Sequence, residues 1–291
     1  MEHSSGKEFT VKIAGIRISF LFDQTLSDLG VEHITSEFIT DIGEDIKLRV
    51  HHGHVPRFGR KEKVFDSGHT WALYRSEGKY ILQDGPSESG AAPDTYLILE
   101  PDFKSGDICV CGDSFYRNLL PDPLGYPLNQ VLMILLLSLG RGIVLHACGI
   151  DDRGSGYLFL GNSTDGKSTM AKLWFERHAT VLNDDRIIAR EKDGEFWMYG
   201  TPWHGDFKEL SPMGLAIHKI FFLHPGEKNS AALQKGAEAV TMLLTRCFPP
   251  LWDKLGMAYT MGLCHRIANK IPCYELSFEP DTRIVDFVRN M

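Results

Sequence analysis

Excess positive charge, long apolar runs and Cys-x-x-Cys pairs are all absent from this sequence, and each absence excludes a class of protein. The chain has 31 Lys and Arg against 38 Asp and Glu, a formal net charge of −7, so broad electrostatic binding to nucleic acid or anionic lipid is not expected. Its longest apolar run, residues 131–137, is far shorter than the roughly 20 residues with which a helix spans a bilayer. We therefore expect neither a nucleic-acid partner nor a membrane partner.

Cysteine usage and the first residues both favour a reducing compartment. No Cys-x-x-Cys pair occurs, and the opening stretch MEHSSGKEFTVKIAG lacks the apolar core of a secretory signal. The six cysteines are Cys109, Cys111, Cys148, Cys247, Cys264 and Cys273. We expect reduced thiols in a cytoplasmic, globular protein, since a hydrophobic content of 43% is enough to build a core.

The chain divides into a β-rich first half and an α/β second half. Short β-branched or aromatic segments separated by Gly, Pro, Asp or Ser run from residue 8 to about residue 110, which predicts an accessory β-rich module over residues 1–126. A turn-rich bridge at 119–127 precedes LNQVLMILLLSLGRG, whose apolar residues surround a predicted buried helix. Residues 127–291 are the predicted catalytic domain.

The second half opens with two strands that predict a β-hairpin, IVLHACGI and YLFLG, with the turn DDRGSG between them. A glycine-rich loop and the predicted helix KSTMAKLWFERH follow directly. The next segments, ATVLNDD, RIIAR and EFWMYG, again have strand character. This order predicts a mixed sheet around the loop.

The loop fits the P-loop spacing, Gly161-x-x-x-x-Gly166-Lys167-Ser168. Glycines let successive N–H groups surround an anion, and the N-terminus of the following helix adds its positive dipole end. Lys167 is expected to contact the β- and γ-phosphates of ATP, and Ser168 to be a Mg²⁺ ligand in preference to Thr169. The predicted nucleotide-binding residues are Gly161, Asn162, Ser163, Thr164, Asp165, Gly166, Lys167, Ser168 and Thr169. A chance match in a glycine-rich turn is the alternative, and the strand before and helix after the loop argue against it.

An acid pair and a histidine supply the predicted chemistry. Asp184 and Asp185 end the strand TVLNDD, where two adjacent carboxylates repel each other unless a cation lies nearby. One can hold Mg²⁺ while the other accepts the proton of an attacking hydroxyl; an ordinary surface turn is the alternative. His146 lies in the hairpin strand beside the loop, where a packed core histidine is the alternative to a functional one.

These motifs in this order resemble the core of HPr kinase/phosphorylase and its relatives, over about residues 141–200. The resemblance implies a mixed-sheet phosphoenolpyruvate-carboxykinase-like P-loop domain, here with an N-terminal β-rich module. It also implies an active site made of His146, Lys167, Ser168, Asp184 and Asp185, with Asp184 as the base for the acceptor hydroxyl and Asp185 with Ser168 on the metal. The chain lacks the extended glycine-rich family signature after the acids, and its first half does not resemble the family's regulatory domain. A diverged relative is therefore favoured over a true HPr kinase.

The tail KIPCYELSFEPDTRIVDFV is similar to the ends of HPr-kinase-like proteins encoded with peptide-modification systems, including the SynChlorMet cassette and the lasso-peptide kinases. This similarity implies a peptide or protein hydroxyl as acceptor, with a peptide-carrier protein or a radical SAM enzyme as further partners. A homo-oligomer is compatible with it.

The resulting hypothesis is an ATP- and Mg²⁺-dependent kinase that transfers the γ-phosphoryl group to a Ser or Thr hydroxyl of a peptide or protein. Two enzymatic alternatives use a small hydroxyl compound as acceptor or inorganic phosphate or pyrophosphate in the reaction. The alternative from another class is a nucleotide-dependent binding module, in which the β-rich half recruits a leader peptide without phosphoryl transfer.

Several further residues keep two interpretations each. Trp203, His204 and Asp206 occupy a loop that could form the rim of the site or a packed turn. Arg186 and Arg246 could stabilise developing negative charge or be solvated surface groups. The histidines of HHGHVPR, which are His51, His52 and His54, are better explained by an exposed loop than by a metal site.

Overall fold

The computed structural model describes residues 8–22, 36–53, 56–68, 70–85, 93, 95–111 and 125–291. The chain falls into two compact units that divide after Met133. Each unit contains a mixed β-sheet, so the chain is of mixed α/β class. Separate folding of residues 1–126 and 127–291 stays a prediction. His54 and residues 119–124 of the predicted bridge lie outside the described residues.

The first unit is built on strands, as the sequence predicted. Within its described residues these are β1 (Glu8–Ile13), β2 (Ile16–Phe22), β3 (Ile39–Thr40), β4 (Ile46–His52), β5 (Glu62–Asp66), β6 (Trp71–Ser76), β7 (Lys79–Asp84), β8 (Thr95–Leu99) and β9 (Ser105–Val110). They form one sheet in the order β3-β1-β2-β4-β9-β8-β7-β6-β5. The sheet is mixed, because β2 with β4 and β4 with β9 pair in parallel while the other neighbours are antiparallel.

A buried helix and a second sheet follow in the order that the sequence predicted. The helices are α1 (Leu128–Ser138), α2 (Lys167–Glu176), α3 (Gly236–Leu244), α4 (Lys254–Lys270) and α5 (Arg283–Arg289). The strands are β10 (Ile143–Asp152), β11 (Ser155–Leu160), β12 (Thr180–Asn183), β13 (Arg186–Lys192), β14 (Glu195–Tyr199), β15 (Gly214–Pro225), β16 (Ser230–Gln234) and β17 (Cys273–Phe278). The predicted hairpin, loop, helix and three strands are all present, and α1 is buried along most of its length.

Five strands of the second sheet, β10, β11, β13, β14 and β15, pair in a closed circuit. Strand β10 pairs antiparallel with β11 and β13, and β14 connects β13 to β15. The long strand β15 then returns to pair in parallel with β11, and with β17 on its other side. Strand β11, which leads into the phosphate loop, is therefore held on both edges.

Apolar side chains cover both faces of this sheet. On one face the core includes residues of α3 and α4, such as Leu243 and Leu263. On the other it includes Trp174 of α2 and Val285 of α5. Because α2 packs by its fully buried Trp174, the start of that helix is fixed relative to the ends of β11, β15 and β17.

Among the described residues, no helix combines the length and the apolarity that a membrane crossing requires.

Candidate active site

The phosphate loop connects β11 to α2 and has two positions that require glycine. A Cβ on Gly161 would lie 2.8 Å from the Cβ of Asp165, within the same loop. Gly166 has a φ of +99°, and a Cβ there would lie 2.5 Å from Cζ of Phe278. Any side chain at Gly166 would be both strained and overlapped. The loop thus closes tightly over the end of β11.

Hydrogen bonds between loop residues fix the conformation of the loop backbone. Asn162 donates its backbone N–H to Oδ2 of Asp165 at 2.6 Å. The Lys167 ammonium donates to the carbonyl oxygens of Gly161 at 3.0 Å and Asn162 at 2.8 Å. Lys167 is only 6% exposed, and this burial lowers the pKa of its ammonium although the surrounding aspartates oppose the shift.

The N-terminus of α2 points its first backbone donors away from the helix. No side chain caps it, and the first N–H that bonds back to the loop is that of Met170, which donates to the Gly166 carbonyl. The N–H groups of residues 167–169 precede the first internal helix bond and are oriented for an anion, as helix N-termini are.

Asp184 is a buried carboxylate surrounded by donors. It is 1% exposed and accepts hydrogen bonds from the Ser168 hydroxyl at 2.6 Å, the Gly205 backbone N–H at 2.8 Å and the Phe207 backbone N–H at 3.0 Å. A Cβ on Gly205 would come within 3.0 Å of the carboxylate. Asp184 is therefore fixed against the loop serine by the segment around Gly205.

Asp185 points to a different partner from its neighbour. Its Oδ1 lies 3.1 Å from Nε2 of His146, and its Oδ2 lies 3.6 Å from Nε of Arg186. Burial by itself would raise the pKa of Asp185, but the hydrogen bond from His146 and the charges of Arg186, His146 and Lys167 outweigh it and lower that pKa. Side-chain exposures of 26% for Asp185 and 21% for His146 leave this pair accessible from the cavity.

Asn183 holds the two acids in their different directions. It is fully buried, and its Oδ1 accepts the backbone N–H groups of Asp185 at 2.7 Å and Arg186 at 2.8 Å. Its amide nitrogen donates to the carbonyls of Thr201 at 3.0 Å and Trp203 at 2.7 Å. Asn183 thus ties the acid turn to the loop that supplies Gly205.

One cavity of about 420 Å³ brings most of the predicted site together. It is lined by His146, Ser163, Thr164, Gly166, Lys167, Ser168, Thr169, Asp184, Asp185, Gly205 and Asp206. Residues that are distant in sequence, from His146 to Asp206, converge at the end of β11. Gly161, Asn162 and Asp165 belong to the same loop without lining the cavity, where their internal contacts set its shape.

The pairing within the site differs from the arrangement that the sequence suggested. Ser168 contacts Asp184 rather than Asp185, and Asp185 pairs with His146 instead. Asn183 and the backbone donors of Gly205 and Phe207 were not among the predicted residues. Asn183 had a local signal, because Asn-Asp-Asp favours a turn in which the first side chain bonds the following backbone.

The residues with two interpretations have different surroundings in the structure. Asp206 lines the cavity, so its loop does form a rim of the site, whereas His204 is exposed and its Nδ1 contacts the carbonyl of Gly205. Arg186 pairs with Asp185. In the first unit the expected exposed loop is wrong for His51 and His52, which end strand β4, and Nε2 of His51 lies 2.8 Å from Oδ1 of Asp107. None of the six cysteines forms a disulfide bond.

The donor set fits a magnesium ion of the kind that P-loop sites hold. No group of three or more His, Cys, Asp or Glu side chains among the described residues could hold a metal by itself. Mg²⁺ at phosphate loops takes one or two protein oxygens, with phosphates and waters completing its octahedron. Ser168 and Asp184, 2.6 Å apart at the start of α2, provide that oxygen set.

Comparisons with known proteins add little to these contacts. No family model and no curated protein matches the chain. Among solved structures, the chain is similar to the HPr(Ser) kinase/phosphatase from Coxiella burnetii, with 13% identity and a TM-score of 0.32; the match covers 50% of this chain and 94% of the Coxiella chain. Because a TM-score of 0.32 is too low to assign a fold family or an activity, the roles proposed for the site residues depend on the contacts of this chain.

Proposed function

We propose that the second unit is an ATP- and Mg²⁺-dependent kinase that transfers the γ-phosphoryl group to a hydroxyl of a peptide or protein. The observation that carries the proposal is the convergence, in one cavity, of a phosphate loop with its lysine, a serine bonded to one acid, and a histidine bonded to a second acid. Each component has a separate role in phosphoryl transfer, where the protein mainly positions groups and stabilises charge.

The loop and the first turn of α2 bind the phosphates. Backbone N–H groups of residues 167–169 face an incoming anion with the positive end of the helix dipole behind them. An ammonium has three N–H donors, and Lys167 uses two of them on loop carbonyls. The third is free to contact the transferring phosphoryl group and to neutralise its charge.

Ser168 and Asp184 hold the metal in this proposal. Mg²⁺ bound there supplies charge neutralisation for the β- and γ-phosphate oxygens. The Ser168 hydroxyl can keep its hydrogen bond to Asp184 while its lone pairs face the ion. Because Asp184 is buried, accepts three hydrogen bonds and is bonded to Ser168 at the start of α2, we assign it to the metal rather than to proton transfer.

Asp185 is then the base, with His146 as its positioning partner. The acceptor hydroxyl oxygen forms the new bond to the γ-phosphorus, the bond from that phosphorus to the β–γ bridging oxygen breaks, and the hydroxyl proton passes to Asp185. Because its pKa is lowered, Asp185 is ionised at neutral pH and can orient the hydroxyl before transfer. This exchanges the acid roles implied by the family resemblance.

The acceptor, the partners and the compartment complete the proposal. A Ser or Thr side chain of a peptide can reach an open cavity whose rim is the exposed loop around Asp206. We place the reaction in the cytoplasm, with a peptide-carrier protein or a radical SAM enzyme as partners. Association of copies of the chain is compatible with it.

Transfer from γ-labelled ATP tests the proposal. The native protein, Lys167→Ala, Asp184→Asn and Asp185→Asn are each incubated with Mg²⁺, ATP and a panel of Ser- and Thr-containing peptides. Asp193→Asn, in an exposed turn, is the matched control and should transfer label like the native protein. We expect label on peptide, lost in Lys167→Ala.

The two aspartate variants distinguish the roles of the acids. Asp184→Asn should raise the Mg²⁺ concentration needed for half-maximal transfer, whereas Asp185→Asn should bind MgATP normally and lose transfer by about 10²-fold or more, the scale of a lost general base. Tight ATP binding that depends on Lys167, with no transfer to any acceptor, would contradict catalysis and favour the nucleotide-dependent binding module.

A further inference from the structure

Three parallel strands lie side by side where β11 enters the phosphate loop. In the register of β11, β15 and β17, Leu160 lies beside Phe222, which lies beside Glu275. Neighbouring strands are about 4.8 Å apart, so the Glu275 backbone is about 10 Å from the residue that enters the loop. Strands β15 and β17 continue past this level to Pro225 and Phe278, so Glu275 lies within its strand, beside the loop.

The acid pair fixes the direction in which a triphosphate would lie. Asp184 and Asp185 follow β12, which pairs with β10 on the opposite side from β15 and β17. A triphosphate whose γ-phosphorus is at these acids therefore extends its α-phosphate toward β15 and β17. The nucleoside end should be sought there.

Arg246 reaches this region from the segment after α3. Its carbonyl accepts the His146 backbone N–H at 2.8 Å, and its guanidinium carbon lies 5.4 Å from the centre of the Phe222 ring. One terminal nitrogen donates to the Met242 carbonyl at 3.2 Å. Its Nε is excluded from solvent and has no hydrogen-bond partner among the described residues, so the protein compensates the guanidinium charge only in part. A cation left in that state favours an anionic ligand.

Glu275 is the cross-strand neighbour of Phe222, the residue whose ring the Arg246 guanidinium approaches. Its Oε2 accepts from the Gln234 amide at 3.2 Å, and its Oε1 lies 2.8 Å from Nε2 of His224 without a well-aligned hydrogen bond. The side chain is 44% exposed. Burial lowers the pKa of Arg246, and the charges of Asp165 in the loop and of Glu275 oppose that shift.

We propose that Arg246 and Glu275 form a nucleoside subsite next to the phosphate loop, in which Arg246 donates to the α-phosphate and Glu275 accepts from the ribose hydroxyls. The subsite deepens the proposed function and depends on it, since it takes the triphosphate direction from the acid pair. It makes the donor a ribonucleoside triphosphate rather than inorganic phosphate or pyrophosphate, because a carboxylate at this position repels a bare polyphosphate and binds only a hydroxyl-bearing group.

Calorimetric titration of the full chain with three magnesium-loaded probes tests the subsite. The probes are ATP, 2′,3′-dideoxyATP and inorganic tripolyphosphate. Native protein should bind ATP about tenfold more tightly than dideoxyATP, the scale of hydrogen bonds to a charged group. Glu275→Ala should bind ATP and dideoxyATP alike while binding tripolyphosphate at least as well as native protein. Glu195→Ala, at an exposed position of β14, is its matched control.

Arg246→Gln should act on all three probes. Each has a phosphate at the α position, so each affinity should fall by about tenfold. Arg153→Gln, in the exposed hairpin turn, should leave all three unchanged. Thermal unfolding of each variant shows whether a loss of binding is a loss of folded protein; a folded Arg246→Gln protein with native affinities would overturn the arginine's role.

The failure of the subsite and the failure of the proposed function give different results. If Lys167→Ala binds ATP as well as native protein does, or native protein binds none of the probes, the proposed function is wrong and the subsite with it. If binding requires Lys167 but native protein does not discriminate ATP from dideoxyATP, or Glu275→Ala loses tripolyphosphate as much as ATP, the subsite alone is wrong.

Discussion

Replacing Asn183 by Asp should destabilise the second unit strongly although it changes one NH₂ group to an oxygen. The amide nitrogen donates to the carbonyls of Thr201 at 3.0 Å and Trp203 at 2.7 Å, while Oδ1 accepts from two backbone N–H groups that an aspartate could still satisfy. The substitution therefore places an acceptor against two buried carbonyl acceptors. Each buried group left unpaired costs about 1–3 kcal/mol, and a protonated carboxyl recovers one of the two hydrogen bonds. We therefore expect the free energy of unfolding to fall by about 2–4 kcal/mol.

The loss should depend on pH with a definite sign. In the folded state the new carboxyl at position 183 faces carbonyls in a fully buried site, so its pKa is raised above its value in the unfolded chain. A raised folded-state pKa means that stability is retained below the unfolded pKa of about 4 and is lost as pH rises through the folded pKa. The difference from native protein should therefore widen from acid to neutral pH.

Urea unfolding, followed by tryptophan fluorescence at several pH values, measures this difference as a shift in midpoint at constant slope. Asn269→Asp, at an exposed position of α4, is the matched control and should shift the midpoint little at any pH. A change below about 0.5 kcal/mol at neutral pH, the range of ordinary surface substitutions, or a difference that does not vary with pH would refute the reasoning about Asn183.

Two further predictions concern the ion pair of Arg289 with Asp152 at the end of β10 and the close packing of Gly166 against Phe278. Arg289 donates two hydrogen bonds to Asp152, at 2.8 and 2.7 Å, and this pairing lowers the pKa of the Asp152 carboxyl. The substitution Arg289→Met should therefore lower the free energy of unfolding by about 1.5–3 kcal/mol at neutral pH. Because a lowered folded-state pKa stabilises only above the unfolded value and is lost in acid, the difference between the two proteins should shrink below about pH 4 in urea titrations. Gly166→Ala should lower the free energy of unfolding by at least about 2 kcal/mol through strain and overlap with Phe278, and should weaken ATP binding. Gly154→Ala, with a φ of +89° but no atom within 4 Å of the new Cβ, should show the strain alone and keep native ATP affinity.

Local pattern was sufficient to predict the elements that carry the phosphate loop. The hairpin before the loop and the helix starting at Lys167 are both present, because an apolar strand, a glycine-rich turn and a helical periodicity each depend on residues near in sequence. The buried α1 and the strands on either side of the acid pair were predicted for the same reason. These elements agree with the sequence at every level, as strongly specified segments do.

Contacts between distant segments were beyond local pattern. No periodicity shows that the backbone at Gly205 donates to Asp184, or that Arg246 lies on the ring of Phe222. Both depend on the return of β15 to pair with β11 in parallel, a long-range pairing that a single sequence does not reveal. The side chains implied by the resemblance to a kinase family do line one cavity, but the resemblance could not state which acid faces which partner.

The different positions of the two acids follow from the end of β12. At Asn183 the strand stops, and the side chain of that residue takes the backbone N–H groups of Asp185 and Arg186. The chain therefore turns between the acids, so that Asp184 points toward Ser168 while Asp185 points toward His146. Two adjacent carboxylates with the same partners would repel each other and raise the pKa of one. Separating them by a turn lets Asp184 stay buried among three donors and leaves Asp185 ionised and accessible, which is the difference that the proposed roles of a metal-side acid and a proton-accepting acid require.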